Sequence, residues 1–253
     1  MWQTMTRNAF APENRHHLRE RLQPFIAELR ALAKLGAPLA ATQLAQMGII
    51  TTDVLMVGAL SSDALAAVTL GSTLYYFGWV MGFGPMAAVA PVVAHALGRD
   101  PGDEVTPRLA VRMSLWASIL LSIPLGTLML FVQPIYLALG QPPALAAAVE
   151  PYVFALIPGL VFSLAFGGLR VFMSAVHAPR APLVVLLLTI GANIFFNYAL
   201  IFGHFGLPRL ELLGACLATT LANLFSFLAL LGWIMIAPKL KRFRVMKALH
   251  RPH

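Results

Sequence analysis

Six long apolar stretches constrain the fold of this chain more than any other feature. A transmembrane helix needs about 20 consecutive apolar residues, and each stretch reaches that length. Spanning β-strands would be much shorter and would alternate apolar with polar residues. The sequence therefore predicts an all-α integral membrane protein, a bundle of six transmembrane helices placed roughly at 35–59, 66–97, 109–132, 151–175, 182–203 and 212–237.

The composition argues against the other broad classes of protein. Of 253 residues, 59% are hydrophobic and only 11% are charged, whereas soluble globular domains contain about 25% charged residues. An intrinsically disordered chain would need low hydrophobicity and high charge. A single cysteine, Cys216, also excludes a disulfide scaffold. We therefore expect neither a soluble enzyme nor a disordered protein.

The second apolar stretch is too long for one straight span. It contains Pro85 and Pro91 together with Gly78, Gly82 and Gly84. Proline removes a backbone donor and clashes with the preceding turn of a helix. We therefore expect a tilted or kinked helix in this region.

Basic residues lie almost entirely on one side of the predicted bundle. They cluster in an N-terminal arm (1–34), in the second-to-third and fourth-to-fifth connections, and in a C-terminal tail (238–253). The arm and the tail flank the predicted transmembrane lobe (35–237). The positive-inside rule then places both termini in the cytoplasm. The net charge of +8 is explained by orientation signals and lipid contacts, so we expect no nucleic-acid partner.

One carboxylate lies well inside an apolar stretch. Asp53 follows Gln46 by seven residues and Gln43 by ten, so the three share one helix face. Ionisable groups inside membranes are costly and usually functional. Two interpretations stay open from the spacing: a buried, titratable carboxylate on a polar stripe, or a helix-end Asp that reaches the outer surface.

The fifth and sixth stretches carry further polar side chains. Asn193 and Asn197 are four residues apart and lie on one helix face, where they could bind a cation or hydrogen-bond neighbouring helices. The sixth stretch has a small-residue face around Gly214 and Cys216, with Thr219 or Thr220 as possible ligands. These residues predict either a cation site or helix packing.

Several segments resemble the multidrug and toxic compound extrusion (MATE) family, in its NorM-like branch. The segment that spans Pro38, Gln46 and Asp53 is similar to the family's first helix. The similarity continues, in the family's order, through GFGPMAAVAPVVAHALGRD, LRVFMSAVHAPRAPLV and NIFFNYALIFGHFGLPRLELLGACLATT. The chain is thereby identified as resembling the N-terminal six-helix half of a two-lobe transporter.

The resemblance implies a secondary antiporter that exports drugs or organic cations while H⁺ or Na⁺ flows inward, with no other cofactor and no metal site. It assigns cation coupling to Asp53, Asn193, Asn197, Thr219 and Gln46. It further implies helix bending at Pro38. The chain departs from the family at Ser174, where an acidic residue or Gln is common, and at His95, where Gln is common, and the first difference puts Na⁺ dependence in doubt.

The substrate cavity, the partners and the location are further expectations. Tyr75, Tyr76, Trp79 and Ser174 are the candidate cavity residues, since aromatic faces attract flat cations, although such aromatics also anchor helices in lipid. The resemblance implies membrane lipid as surroundings, a second six-helix lobe or another copy as partner, and the inner (plasma) membrane of a bacterial cell as location.

Three alternatives remain beside the antiporter. A lipid-linked sugar flippase of related fold would need cationic cavity residues, and only Arg170 is a candidate. A membrane enzyme would need a protease motif such as His-Glu-x-x-His, and none is recognisable. A non-transporting membrane fragment is the third. We therefore predict a transporter and not an enzyme.

Overall fold

The computed structural model describes residues 12–243 and residue 245, and the regular structure in this part of the chain is helical throughout. We number the helices in chain order. They are α1 (Pro12–Gly58), α2 (Ser62–Ala87), α3 (Val89–Arg99), α4 (Val105–Met129), α5 (Val132–Ala138), α6 (Pro143–Ala175), α7 (Arg180–Phe202), α8 (Glu211–Ile236) and α9 (Pro238–Lys241). The all-α fold predicted from the sequence is confirmed.

The chain divides into two compact units, one that ends at Ala41 and one that begins at Thr42. The described part of the first unit is the beginning of α1, which contains Pro24 and Pro38. The second unit holds the end of α1 and all later helices. The predicted N-terminal arm and C-terminal tail remain predictions, and residues 1–11, 244 and 246–253 of them lie outside the described residues.

Within the described residues, five helical segments are long and apolar enough to cross a membrane. They are Ser62–Arg99, which joins α2 and α3, together with α4, α6, α7 and α8. The first predicted stretch, 35–59, is helical but is not among the five. Its polar residues, which include Gln43, Gln46 and Asp53, lower its mean hydropathy. The same polar residues that indicate a functional role for this stretch therefore also reduce its hydropathy.

The second apolar stretch is interrupted near the prolines that predict a kink. The helix breaks at Ala88, between α2 and α3. Pro91 has no backbone N–H to donate to the residue four positions earlier, Ala87, and Pro85 interrupts the preceding turn in the same way. The break thus divides one long apolar stretch into two helices, α2 and α3.

Helix α6 forms the centre of the second unit. Of its most apolar window, 61% is buried, against 39% or less in each of the other four spanning segments. It begins at Pro143, eight residues before the predicted start, because a proline suits the first turn of a helix and Ala-rich residues follow it. The two buried clusters of the core both include residues of α6, among them Leu160 and Phe172.

Close packing of α7 against α8 sets the position of the functional residues. A Cβ atom on Gly214 of α8 would lie only 2.5 Å from the carbonyl oxygen of Leu200 in α7. Small residues permit such close approach between membrane helices. Gly203, at φ +73°, ends α7 in a left-handed conformation, and the chain then turns back toward α8. The facing polar residues of the two helices are thereby held within hydrogen-bond reach.

Candidate functional site

Three polar side chains from two helices donate hydrogen bonds to the carboxylate of Asp53, which lies on a third helix. Asn193 donates a hydrogen bond from Nδ2 to Asp53 Oδ1 over 3.0 Å, and Asn197 donates to the same oxygen over 2.6 Å. Thr219 donates from Oγ1 to Asp53 Oδ2 over 3.0 Å. We call these four residues the Asp53 cluster. The structure thus brings together residues that lie 140 to 166 positions apart in the sequence.

The burial of the cluster is deepest on the asparagine side. Asn193 and Asn197 are each 0% exposed, whereas Asp53 and Thr219 are partly buried. An ionised carboxylate offers about four lone-pair positions, and three of them accept hydrogen bonds here. No other charged side chain contributes to these bonds. The site therefore holds a carboxylate with neutral donors, which stabilise its charge without cancelling it.

Thr219 can bind in two ways, and this gives the cluster two hydrogen-bonding states. Its Oγ1 lies 3.0 Å from Asp53 Oδ2 and also 3.0 Å from the backbone carbonyl oxygen of Ala215. A hydroxyl carries a single hydrogen and also accepts. It can donate to an ionised Asp53, or donate to Ala215 and accept from a protonated Asp53. Both protonation states of the carboxyl group are therefore satisfied by one arrangement of heavy atoms.

One oxygen of the cluster is buried and has no hydrogen-bond partner among the residues that the structure describes. Asn197 Oδ1 has this property, while Asn197 Nδ2 donates both to Asp53 and, over 3.2 Å, to Asn193 Oδ1. Buried polar atoms without a partner are rare and indicate a functional demand or a bound group. A carbonyl oxygen beside a carboxylate is a suitable ligand for a small hard cation. Within the described residues, no group of three or more His, Cys, Asp or Glu side chains could hold a metal ion.

The structure does not bring Gln46 to Asp53. Gln46 accepts a hydrogen bond over 2.7 Å from Arg170 Nη1 of α6, and Gln43 accepts another over 2.9 Å from the same nitrogen. Seven helical residues separate Gln46 from Asp53, which is about 10 Å along the axis. The predicted polar stripe therefore exists, but its two ends bind different partners.

The candidate cavity residues also separate into different environments. Tyr75 Oη lies 3.0 Å from Ser163 Oγ and accepts from Asn223 Nδ2 over 3.3 Å. Tyr76 is 58% exposed and stacks with Trp79. Ser174 donates to the backbone carbonyl of Arg170, one turn earlier in its own helix. Their assignment to a substrate cavity stays a prediction.

Sequence reasoning missed two polar residues that the structure connects to the predicted ones. Asn223 lies one helical turn after Thr219, and the spacing of four residues could have identified it. Ser163 lies on α6 seven residues before Arg170, on the same face. Both hydrogen-bond with Tyr75. Tyr75, Ser163 and Asn223 thus form a second set of hydrogen-bonded polar side chains, one helical turn along α8 from Thr219. Pro38, assigned to helix bending, lies inside α1 within the first unit.

Comparison with known proteins gives consistent matches to one family. The MatE family model matches residues 38–199. A probable multidrug resistance protein NorM from Bradyrhizobium diazoefficiens is 44% identical over 199 residues, which cover 79% of this chain and 42% of that protein. Another from Rhizobium meliloti is 38% identical and covers 88% of this chain and 47% of that protein. The chain spans about half the length of the curated relatives it matches.

Solved structures show the same fold. A eukaryotic MATE transporter superimposes with a TM-score of 0.77 at 19% identity, over 89% of this chain and 51% of that one. A MATE protein in the bent conformation gives a TM-score of 0.71 at 19% identity, over 81% and 45%. Together with the apolar helices, the bacterial relatives confirm the predicted location, the inner membrane. The family match covers well over half of the chain, and the chain therefore belongs to the MatE family, whose members are membrane transporters and not enzymes.

Proposed function

We propose that this chain forms one lobe of a secondary multidrug antiporter that exports drugs or organic cations while protons flow inward. The observation that carries the proposal is the Asp53 cluster, in which Thr219 lies at equal distances from Asp53 Oδ2 and the Ala215 carbonyl oxygen. A group that must take up and release a proton needs both of its states satisfied. The cluster meets that requirement without moving a heavy atom.

Protonation changes the strength of the contacts that hold α1. Hydrogen bonds to an ionised carboxylate contribute about 1.5–3 kcal/mol each, against about 0.5–1.5 kcal/mol for neutral bonds. Loss of the charge therefore weakens the attachment of α1 to α7 and α8 at the same three positions. A second conformation, in which this end of α1 moves away from the two asparagines, then becomes accessible. This is a population shift driven by differential binding of a proton.

The predicted orientation gives the proton a route of entry. With the N-terminus in the cytoplasm, α1 runs outward, and Asp53 lies five residues before its end at Gly58. The carboxylate then lies about 8 Å from the outer end of the helix. Protons that enter from outside would therefore reach Asp53 before they reach the cytoplasmic half of the lobe.

Sodium is the second candidate for the coupling ion, and Asn197 Oδ1 is the observation that favours it. This buried oxygen has no hydrogen-bond partner within the described residues, and it belongs to the amide group whose nitrogen contacts the Asp53 carboxylate. Carboxylate and amide oxygens suit hard cations. Ser174 hydrogen-bonds to the backbone carbonyl of Arg170 on its own helix and forms no hydrogen bond to the Asp53 cluster among the described contacts.

The complete transport cycle requires a second lobe. Alternating access in transporters built from repeats is the rocking of one bundle against another around a shared midplane site. A single bundle lines only one wall of such a site. We infer that the chain acts with a second six-helix lobe or with another copy of itself, surrounded by membrane lipid, and that its substrates are small organic cations or drugs.

Reconstitution in proteoliposomes tests the proposal. The 253-residue chain is inserted alone, and in parallel with a complementary second lobe, and uptake of a fluorescent organic cation is followed under a pH or Na⁺ gradient. We expect proton-driven transport only in the two-lobe sample. Transport by a demonstrated monomer would contradict the need for a partner. Transport driven by Na⁺ alone would replace the proton with sodium, and movement of a lipid-linked sugar pyrophosphate without drug transport would indicate a flippase.

A further inference from the structure

The segment that follows the last spanning helix packs back against the lobe. Helix α8 ends at Ile236, and the short helix α9 follows after a single residue. The side chains of Leu240, Phe243 and Val245 are then only 6%, 1% and 4% exposed. All three belong to one buried cluster that also contains residues of α4 and α6. We call residues 238–243 together with Val245 the strap.

The ring of Phe243 is the main apolar contact of the strap. It packs against the ring of Phe172 in α6, with 5.6 Å between the ring centres and 85° between the ring planes. Aromatic pairs favour this edge-to-face arrangement. Arg242 Cζ lies 4.6 Å from the centre of the same ring, where a guanidinium group is attracted to the aromatic face. Phe243 thus contacts both a ring of the core and an exposed cation.

Helix α4 holds the backbone of the strap at the same residue. Arg108 Nε donates a hydrogen bond to the carbonyl oxygen of Phe243 over 2.8 Å. Arg108 Nη2 lies 4.0 Å from Glu104 Oε2, one turn earlier in the sequence. A hydrogen bond from a charged donor is stronger than one between neutral groups. The ring and the carbonyl group of Phe243 are therefore bound by two different helices.

The lobe, and not the bilayer, receives the apolar side chains of the strap. Lys241 and Arg242 are exposed, whereas Leu240 and Phe243 are buried within the protein. A basic amphipathic segment that binds a membrane surface instead places its apolar residues among the lipids. The observed burial therefore favours attachment to the protein.

We propose that Arg108, Phe172 and Phe243 fasten the strap to the end of the lobe where α4 begins and α6 ends. The segment after α8 then moves as one body with the lobe and does not act as a hinge. This is a conformational device, and it is separate from the Asp53 cluster.

The consequence for transport rests on the proposed function. When two lobes rock against each other, a chain that left the lobe directly at Ile236 would pull on α8. That helix carries Thr219 of the Asp53 cluster, about 25 Å from Ile236 along the axis. With the strap fastened, the pull acts on α4 and α6 instead. The strap thereby protects the position of Thr219 while the lobes move.

The strap and α1 are attached to different sides of α6. Arg170 binds Gln46 of α1, and Phe172 binds the strap. Positions two residues apart differ by about 200° around a helix. Movement of α1 after protonation of Asp53 therefore does not require the strap to detach.

Protection of an introduced thiol measures whether the strap is docked. The native thiol is removed by Cys216→Ser, because a hydroxyl can still donate to the Leu212 carbonyl oxygen that Cys216 Sγ contacts. Val245→Cys then reports docking, and Lys241→Cys reports the reactivity of an exposed thiol in the same strap. The purified full-length chain is labelled in detergent with a water-soluble maleimide. We expect Val245→Cys to react more slowly than Lys241→Cys by about tenfold or more, since it is accessible only when the strap opens.

Two substitutions weaken the fastening in different ways. Arg108→Met removes the hydrogen-bond donor, and Phe243→Ala removes the buried ring. Each should raise the labelling rate of Val245→Cys by about tenfold or more, because the lost contact shifts the docking equilibrium by that factor. The matched control is Arg99→Met, which removes an exposed arginine at the end of α3 and should leave the labelling rate unchanged.

Circular dichroism melting establishes which variants are folded at the labelling temperature. If Phe243→Ala is not folded, Arg108→Met alone decides. Equal labelling of Val245→Cys and Lys241→Cys in the otherwise unchanged chain would overturn the proposal. So would slow labelling of Val245→Cys that persists in folded Arg108→Met, because the detergent and not the lobe would then protect the strap. The assay needs no gradient, substrate or second lobe, so a failure of antiport would refute the proposed function and leave the fastening intact.

Discussion

Replacement of Asp53 by Asn tests coupling while it leaves the hydrogen-bond pattern intact. The side-chain oxygen of Asn at position 53 can accept from Asn193 and Asn197, as Asp53 Oδ1 does now. Its amide nitrogen would then face Thr219, whose hydroxyl can donate to the Ala215 carbonyl oxygen at 3.0 Å and accept from the amide. The variant therefore resembles the protonated state of Asp53, fixed permanently.

The expected magnitude for folding is small. Three charge-assisted hydrogen bonds become neutral, which loses about 1 kcal/mol at each, or roughly 3 kcal/mol in all. This loss is opposed by the removal of a charge from a largely apolar site, where the desolvation penalty amounts to several kcal/mol per ion. We therefore expect Asp53→Asn to insert normally and to melt in detergent at or above the wild-type temperature.

The expected magnitude for transport is large. One carboxyl group can carry one proton per cycle, and one pH unit corresponds to 1.36 kcal/mol. This supports about a tenfold accumulation of drug for each pH unit across the membrane. Because the amide of Asn does not titrate in this range, the same gradient should produce an accumulation ratio near one.

The assay compares two-lobe proteoliposomes that contain wild type, Asp53→Asn or Asp63→Asn under a gradient of one pH unit. Asp63 lies in the first turn of α2, outside the Asp53 cluster, so its variant should accumulate drug like the wild type. Undiminished gradient-driven accumulation by Asp53→Asn would refute the coupling role of the cluster. A large fall in its melting temperature would refute the hydrogen-bond argument above.

Three further predictions concern packing, ion binding and capping. Asn193→Ala or Asn197→Ala should lower the free energy of unfolding by about 1 kcal/mol for each lost contact and should have a larger effect on the ion dependence of transport. Ion-titrated transport and thermal melting of the same variants measure the two effects. If the ion dependence of transport is unchanged, these residues have a packing role only. Gly214→Ala should destabilise the chain by about 1–3 kcal/mol, because the added Cβ would meet backbone atoms. The control Gly191→Ala adds a Cβ in open space and should be neutral or stabilising. Equal melting temperatures of the two variants would contradict the close contact at Gly214. Hydrogen bonds from a threonine side chain and from two backbone N–H groups at the start of α4 lower the pKa of Asp103 below its ordinary 3.8. The stability that the ionised Asp103 contributes should therefore be complete near neutral pH and decline as the pH falls below about 4. Asp103→Asn should melt below the wild type at pH 7 and converge with it in acid, and a difference in melting temperature that does not depend on pH would contradict this.

The membrane class could be predicted from local patterns in the sequence, whereas the joining of Asp53, Asn193, Asn197 and Thr219 in one site was implied only by the family resemblance. Apolar length alone identifies a spanning helix. The i, i+4 spacing of Asn193 and Asn197 places both amides on one face of α7, and an isolated carboxylate in an apolar helix needs polar partners. The structure adds the distances of 2.6–3.0 Å that connect these residues to Asp53.

The partners of Gln46 and Tyr75 could not be predicted in the same way. Periodicity gives the face on which Gln46 lies, but not which helix packs against each part of that face. That choice depends on the central position of α6, which brings Arg170 to Gln46 and Ser163 to Tyr75. The predicted start of α6 lies too far along the sequence for a related reason. The apolar residues of a helix do not show how far it extends beyond the membrane.

The two attachments of α1 respond differently to protonation, and this determines which part of the helix moves. Protonation of Asp53 weakens the bonds to α7 and α8, whereas the bonds from Arg170 to Gln46 involve a charge that does not titrate. We therefore expect the Gln46 end to stay attached while the Asp53 end is released. Gly48 lies between them, and its nearest neighbour would be 3.5 Å from an added Cβ, which is ordinary contact. Since glycine permits backbone changes that other residues resist, we expect the bend that follows protonation to lie between Gln46 and Asp53, and not at Pro38, to which the family resemblance assigns helix bending.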